Sequence, residues 1–435
     1  MIDVSSFGQR MQRLGPFESR PHLAVAVSGG SDSLALTLLT QEWARARDGW
    51  VTALIVDHAL RPDSRSEAMQ VKRWLKRQGV STRILTWQGE KPANGRMAAA
   101  RNARYALLED ECEKMGILHL LLAHQMEDQA ETCLMRLARG SGAEGMAAMS
   151  PLAYARHVRL LRPLLGATRQ SLKDYLESRD QDWISDPSND NPSFERVRVR
   201  QSLPQLARIG LSAQALAASA DKFQRLKRYL EDEAAILLAK HVSLAVAGYA
   251  WLEPAFLDEP LEPQRWSLAR LLACLGGEGY LPAAHQVEKL CLAMADKSWR
   301  GATLGGCRLL RHQGRILVTR EAQACQAPLR LVSGQGGLWD GRYQFRCSVG
   351  KGRGLTLGAL GSQGAQQLAR LAPELKTNAG VPFPAWASLP AIRDARGVSA
   401  LPGLGYKRSN RSLEPLTELI FLPRRALTGS SLLLS

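Results

Sequence analysis

Between Leu23 and Ala138 four short apolar runs each give way to a stretch of helical periodicity, and this alternation constrains the fold more than any other feature. The runs are LAVAV (23–27), VTALIV (51–56), TRIL (82–85) and ILHLLLA (117–123), with helical patterns at about 33–47, 66–78, 97–115 and 126–139. Alternating βα units pair their strands in parallel and cover the sheet on both faces. The predicted class is therefore α/β, built on an N-terminal doubly wound parallel sheet. Ligands of such sheets sit outside the carboxyl ends of the strands. Functional residues are sought at those ends.

The first strand runs straight into Ser28, Gly29, Gly30, Ser31, Asp32 and Ser33, and a helix follows at once. A helix N-terminus offers unpaired N–H groups and a partial positive charge, which together hold phosphate. Gly29 and Gly30 let the backbone approach an anion, and the three serines add hydroxyl donors. Asp32 would repel a bare phosphate, so it points to a Mg²⁺ that accompanies the phosphates. The loop lacks the lysine of an ordinary P-loop. A plain βα turn with Asp32 or Ser33 as N-cap is the alternative.

Other strand ends carry similar signals. His58 follows the second strand and His124 the fourth, each either a site residue or a satisfied polar group. If 126–139 is helical, Asp128, Thr132, Arg136 and Arg139 share one face, with Glu131 at its edge. An ordinary solvated face has the same spacing. Arg101 and Arg104 lie one turn apart and are placed to reach phosphates. Gly140, Gly142 and Gly145 suggest a tight exit from the helix. Arg196, Arg198 and Arg200 form an alternating basic edge beside a loop-rich stretch, 182–200, and Leu203-Pro204 marks a turn.

The remainder divides by pattern. Residues 1–210 are expected to form the catalytic domain, 211–245 a linker helix, 246–322 one α+β domain and 329–435 a second, β-rich one. Net charge is +16; through Gln205 there are 28 basic and 24 acidic residues, and beyond it 29 and 17. A basic C-terminal half suits a polyanion, of which nucleic acid is the commonest. The seven cysteines include no Cys-x-x-Cys, so buried reduced thiols are expected. No apolar run is long enough for a membrane span and the N-terminus has no signal core, so a cytoplasmic protein without membrane contact is expected.

SGGSDS resembles the pyrophosphate loop of the N-type ATP pyrophosphatases, which have an adenine nucleotide alpha-hydrolase-like fold. Within that superfamily, VDHALRPDSRSEA (56–68), AHQMEDQAETCLMRLARGSGAEGMAAM (123–149), LRPLL (161–165) and DPSN…FERVRVR are similar to the tRNA(Ile)-lysidine synthetases, in the expected order. The specific match covers about residues 20–205, with weaker similarity beyond. Glu127, Gln125, Met97 and Val197 depart from the family pattern, and direct chemical roles are not expected at Glu127, Met97 or Val197.

The resemblance implies a ligase that uses ATP to adenylate the C2 oxygen of the wobble cytidine in the CAU anticodon of a minor isoleucine tRNA. The ε-amine of free L-lysine then displaces AMP. The lysidine formed changes codon specificity from AUG to AUA and amino-acid identity from Met to Ile. Catalytic roles are implied for Asp32, His124, Asp128 and Glu131. ATP is assigned to Ser28, Gly29, Gly30, Ser31, Asp32, Ser33, His58 and Arg101, and Mg²⁺ to Asp32. Phosphates of the tRNA are assigned to Arg136, Arg139, Arg196 and Arg200, and the two C-terminal domains to tRNA binding. A homodimer is one assembly open to it. The rival readings are a tRNA 2-thiolating ATP pyrophosphatase and a non-catalytic RNA-binding relative.

Overall fold

The computed structural model describes residues 2–59, 63–89, 91, 95–155, 157–185, 192–348, 354–378, 380–408 and 416–428. The chain divides into two compact units, Met1–Lys227 and Arg228–Leu432. In the first, α1 (Val4–Gln12) precedes the expected alternation: β1 (His22–Val27), α2 (Ser31–Arg45), β2 (Trp50–Asp57), α3 (Ser64–Arg77), β3 (Ser81–Thr86), α4 (Arg96–Met115), β4 (His119–Leu121) and α5 (Met126–Ala138). Then come α6 (Ala143–Met146), β5 (Leu152–Tyr154), β6 (Arg159–Leu161), α7 (Arg169–Glu177), α8 (Glu195–Arg208) and α9 (Ala213–His241).

The sheet order is β3-β2-β1-β4-β6-β5, parallel throughout except for β5 against β6. Period-two alternation sorts each strand between two cores. Leu23, Val25 and Val27 pack on one face with Leu34, Leu38, Val71 and Leu172 of three helices. Ala24 and Ala26 pack on the other with Leu108 and Cys112 of α4. The chain winds outward from β1 to β3, then returns to the other side of β1 with β4. That reversal opens a crevice at the carboxyl ends of β1 and β4.

Two expectations fail between 195 and 208. Arg196, Arg198 and Arg200 do not alternate along an extended edge; they lie on α8, with Arg196 and Arg200 one turn apart. Leu203-Pro204 is not a turn, because Pro204 lies inside that helix. An internal proline forfeits one hydrogen bond and costs about 3 kcal/mol. Packing offsets it: Leu203 is buried with Ala130, Cys133 and Leu216.

In the second unit α9 ends at His241 and feeds a five-stranded antiparallel sheet of β7 (Val242–Ala245), β8 (Tyr249–Leu252), β9 (Gly301–Leu304), β10 (Cys307–His312) and β11 (Arg315–Arg320), in the order β7-β8-β11-β10-β9. α10 (Leu261–Gly276) and α11 (Ala284–Ala295) cover one face of it around Leu252, Leu268, Val287 and Val318. A second lobe, from Leu329 to Phe421, has its own five-stranded and three-stranded sheets. Tyr249 and Leu317 of the first lobe share a core with Leu360, Leu368 and Trp386 of the second. Among the described residues no helix is long and apolar enough to cross a membrane.

Candidate active site

The first βα turn delivers an uncapped helix end to the crevice. Gly30 is the N-cap of α2, and among the described residues no side chain caps this helix end. The opening N–H groups have no acceptor within the helix. Ser33 staples the turn: its Oγ accepts the Ser28 N–H at 3.2 Å and donates to the Gly30 carbonyl at 2.9 Å. The Ser33 hydroxyl is therefore spent inside the loop, and only its amide remains for an anion. Ser28 is exposed at the strand end, its Oγ 3.3 Å from that of Ser33. Gly29 has φ +89°, and a Cβ there would stand 2.8 Å from Val71 Cγ2 and 3.2 Å from Ile184 Cδ1. Only glycine fits.

Beside the loop lies a cluster of acids. Burial raises the Asp32 carboxyl above its ordinary range; Arg169, whose Nε is 3.9 Å away, opposes this, and Asp128 and Glu127 add to it. Ser31 donates to Asp32 Oδ1 at 3.2 Å. Asp128 accepts the Gln125 N–H at 3.0 Å and the Arg196 guanidinium at 2.6 Å. Gln125 in turn accepts the Glu127 N–H, closing a capping box at the start of α5. Glu127 turns away to cap α7, accepting the Arg169 N–H at 3.1 Å. Val197 is a buried apolar residue of α8, and the Met97 side chain lies outside the described residues.

Glu131 lies deeper than Asp32 and Asp128. It is fully buried and both oxygens are taken, by Arg196 Nε at 2.5 Å and by Arg200 Nε at 2.6 Å. Burial acts to lower the Arg200 pKa, but bonding to Glu131 and the nearby Asp128 and Asp32 outweigh it and raise the value. Glu131 holds α8 and its two arginines against the crevice.

The histidines line the other side. His124 is driven down to about 3 by burial first and then by Arg162, Arg196, Arg104 and Arg101. His58 is lowered by burial and by Arg104, against the pull of Asp57, and meets Trp87 edge-on at 6.1 Å. Both rings are neutral, and the Nδ1 atom of each is buried with no partner among the described residues. Arg101 is exposed, its guanidinium 5.2 Å from the Tyr105 ring.

Two of the arginines assigned to RNA have partners within the protein. Arg136 Nη1 donates to the Gly145 and Ala148 carbonyls, both at 2.9 Å, so it braces the glycine-rich exit from α5. Arg139 is exposed and pairs with Glu195 at 2.5 Å. Arg169 and Arg162 were not anticipated as site residues. The signal was present in VRLLRPLLGATRQSL, an apolar run, a Thr168 N-cap and a helix, which is one more strand-to-helix junction of the same sheet. Among the described residues no three His, Cys, Asp or Glu converge as a metal cage. Mg²⁺ needs none, since it takes one or two carboxylates plus substrate phosphates and keeps its waters. Asp32, crowded by two other acids, fits that donor set.

Comparison with known proteins identifies the arrangement. The PP-loop domain family matches residues 4–207. A tRNA(Ile)-lysidine synthase of Ruegeria pomeroyi is 36% identical over 392 residues, covering 89% of this chain and 90% of that protein. The chain belongs to the tRNA(Ile)-lysidine synthase family. The lysidine synthase of Hyphomonas neptunium is 38% identical over 342 residues, covering 76% of this chain and 90% of its own. That of Orientia tsutsugamushi, at 28% identity, covers 97% and 98%, so similarity to the lysidine synthases extends through the C-terminal unit.

Proposed function

We propose that this chain joins free L-lysine to C2 of the wobble cytidine in the CAU anticodon of a minor isoleucine tRNA, at the expense of ATP. The observation that carries it is the meeting of the Ser28–Ser33 turn, Asp128, His124 and Arg196 at one crevice, in a chain that aligns with lysidine synthases over 89% of its length. The C2 oxygen cannot leave as oxide. ATP adenylates it, with loss of pyrophosphate, and the lysine ε-amine then attacks C2 and expels AMP.

The first-turn amides of α2 seat the phosphates, and Asp32 would hold a Mg²⁺, which supplies neutralisation of phosphate charge. Arg101, Arg104 and Arg162 surround the histidines on the α4 side and favour a bound anion there. The base is splayed from its loop to enter the crevice. The amine, with a reference pKa of about 10.4, must shed a proton before it attacks. The carboxylates of the crevice are the candidates to accept it. Thiol chemistry is disfavoured, since burial pushes Cys112, Cys274, Cys291 and Cys307 up to about 12.

The test is incorporation of labelled lysine into a CAU-anticodon isoleucine tRNA transcript, run beside initiator and elongator methionine tRNAs. Label is expected in the isoleucine transcript alone, with one AMP and one pyrophosphate formed for each lysine. Label in none of them overturns the proposal.

A further inference from the structure

The sheet β7–β11 is covered on one face by α10 and α11, into which Leu252, Leu309, Ile316 and Val318 point. Alternation then sends Trp251, Arg308, Leu310, His312 and Arg315 to the opposite face. Tyr249, Trp251, Leu310 and Leu317 on that face pack against the core shared with the second lobe, while His312 and Arg315 are half-buried and Arg300, Thr303 and Arg308 are exposed. β10 and β11 are joined by a two-residue turn, Gln313-Gly314, both at positive φ (+49° and +77°), which sets His312 directly opposite Arg315.

An ordered ledge results. The His312 ring lies 5.8 Å from the Trp251 indole at an interplanar angle of 23°, and the Arg315 guanidinium lies 4.4 Å from the centroid of the same indole. Next to it is an open cleft of about 440 Å³ lined by Arg300, Thr303, Arg308 and Leu310. Glu253 pairs with Arg315 at 3.3 Å, while Arg308 has no partner among the described residues. Stacked rings flanked by arginines bind a flexible polyanion that carries flat bases. Bases inside a duplex are already stacked, so an unpaired segment fits best.

We infer that this face docks an unpaired segment of the tRNA substrate, a base stacking against the His312–Trp251 ledge while neighbouring phosphates meet Arg300 and Arg308. The inference rests on the tRNA reading above. Its test is binding of the full chain to the CAU isoleucine transcript over a range of salt concentrations. Each lost phosphate contact of an unpaired strand lowers the slope of log affinity against log salt by about 0.7. Arg300→Ala/Arg308→Ala, both at exposed positions, should therefore bind about tenfold more weakly, with the slope reduced by about 1.4 and ATP affinity unchanged. His312→Ala should weaken binding about fivefold, and His312→Phe, which keeps the ring, should not. Wild-type affinity and slope in the double variant, or equal weakening by His312→Ala and His312→Phe, overturns the inference and leaves the catalytic reading intact. A wild-type chain that ignores tRNA removes both.

Discussion

In the N-terminal unit Glu131 is wholly buried between Arg196 and Arg200; in the C-terminal unit Asp340, 2% exposed, is buried between Arg320 and Arg342. The ion pairs are alike and their surroundings are not. Arg196 and Arg200 keep 37% and 29% of their side-chain surface, whereas Arg320 and Arg342 keep 5% and 0%. The spare donors of the inner pair go to backbone: Arg320 to Gly306 and Ala324, Arg342 to Gly248 and Ser388. Those carbonyls belong to both C-terminal lobes, so Asp340 ties one lobe to the other. Arg196 instead reaches on to Asp128 and adds to the field that keeps His124 neutral. A buried carboxylate between two arginines is architecture when the guanidiniums are sealed, and part of a site when their outer edges meet the crevice.

Removing the sealed charge should have the largest effect. Asp340→Asn keeps the shape but leaves two buried guanidiniums uncompensated, a loss of about 3–5 kcal/mol. Urea unfolding should show the C-terminal unit melting at clearly lower denaturant. A variant that unfolds with the wild type would erase the contrast.

At the open cluster the loss should appear in rate. Arg196→Ala is expected to lower kcat about 10²–10³-fold, or ~2.7–4 kcal/mol of transition-state stabilisation, with a small change in stability. Arg196→Lys should not rescue it, because an ammonium cannot bridge Glu131 and Asp128 together. Glu131→Gln should mimic Arg196→Ala, since Glu131 acts through that arginine. Lysine-incorporation kinetics and a melting curve on each variant decide it; a melting loss with unchanged kcat would make this cluster architectural too.

Gly29→Ala comes next. Its φ of +89° and the 2.8 Å approach of Val71 Cγ2 leave no room for a methyl group, at a cost of about 1–3 kcal/mol. ATP affinity by calorimetry should fall about tenfold or more. Unchanged affinity would mean that the turn does not seat the phosphates.

The histidine side predicts a pH effect of known sign. His124 falls from 6.5 in its ordinary state to about 3 in the folded chain, so the unfolded state binds the extra proton between those values. Stability from this group is complete above about pH 6.5 and declines with acid, by up to ~1.4 kcal/mol per pH unit. Denaturant midpoints measured between pH 4.5 and 7.5 should fall less steeply for His124→Gln than for the wild type. Identical slopes would place His124 in a wetter setting than the one described.

What could be read in advance followed from local chemistry. The βα alternation and the anion turn each depend on residues within a few positions of one another. The roles that escaped depend on distant partners. Glu131 reads as a site acid until α8, more than sixty residues on, closes both of its oxygens. Arg196 and Arg200 read as an extended edge, because Pro204 and the polar run before them hide a helix that the buried Leu203 holds in place. Arg136 spaces like an RNA contact, and only the fold brings the Gly145 and Ala148 carbonyls to it.

The smallest expected effect tests the loop after β2. Asp57 Oδ1 accepts the Ala59 N–H at 2.9 Å, which folds Asp57–Ala59 into a tight turn at His58, and it also accepts the Ser64 hydroxyl at 2.8 Å. Ala59 pays for that turn with a φ of +49°, where a side chain is strained by about 1–2 kcal/mol. Glycine removes the strain but gives back about 0.5–1 kcal/mol in unfolded-state entropy. Ala59→Gly should therefore raise stability by about 0.5 kcal/mol, while Ala59→Val, branched at Cβ, should lower it by more than that. Equilibrium unfolding of the two variants beside the wild type checks the order, and a glycine variant less stable than alanine would show that the loop leading to His58 is not left-handed there.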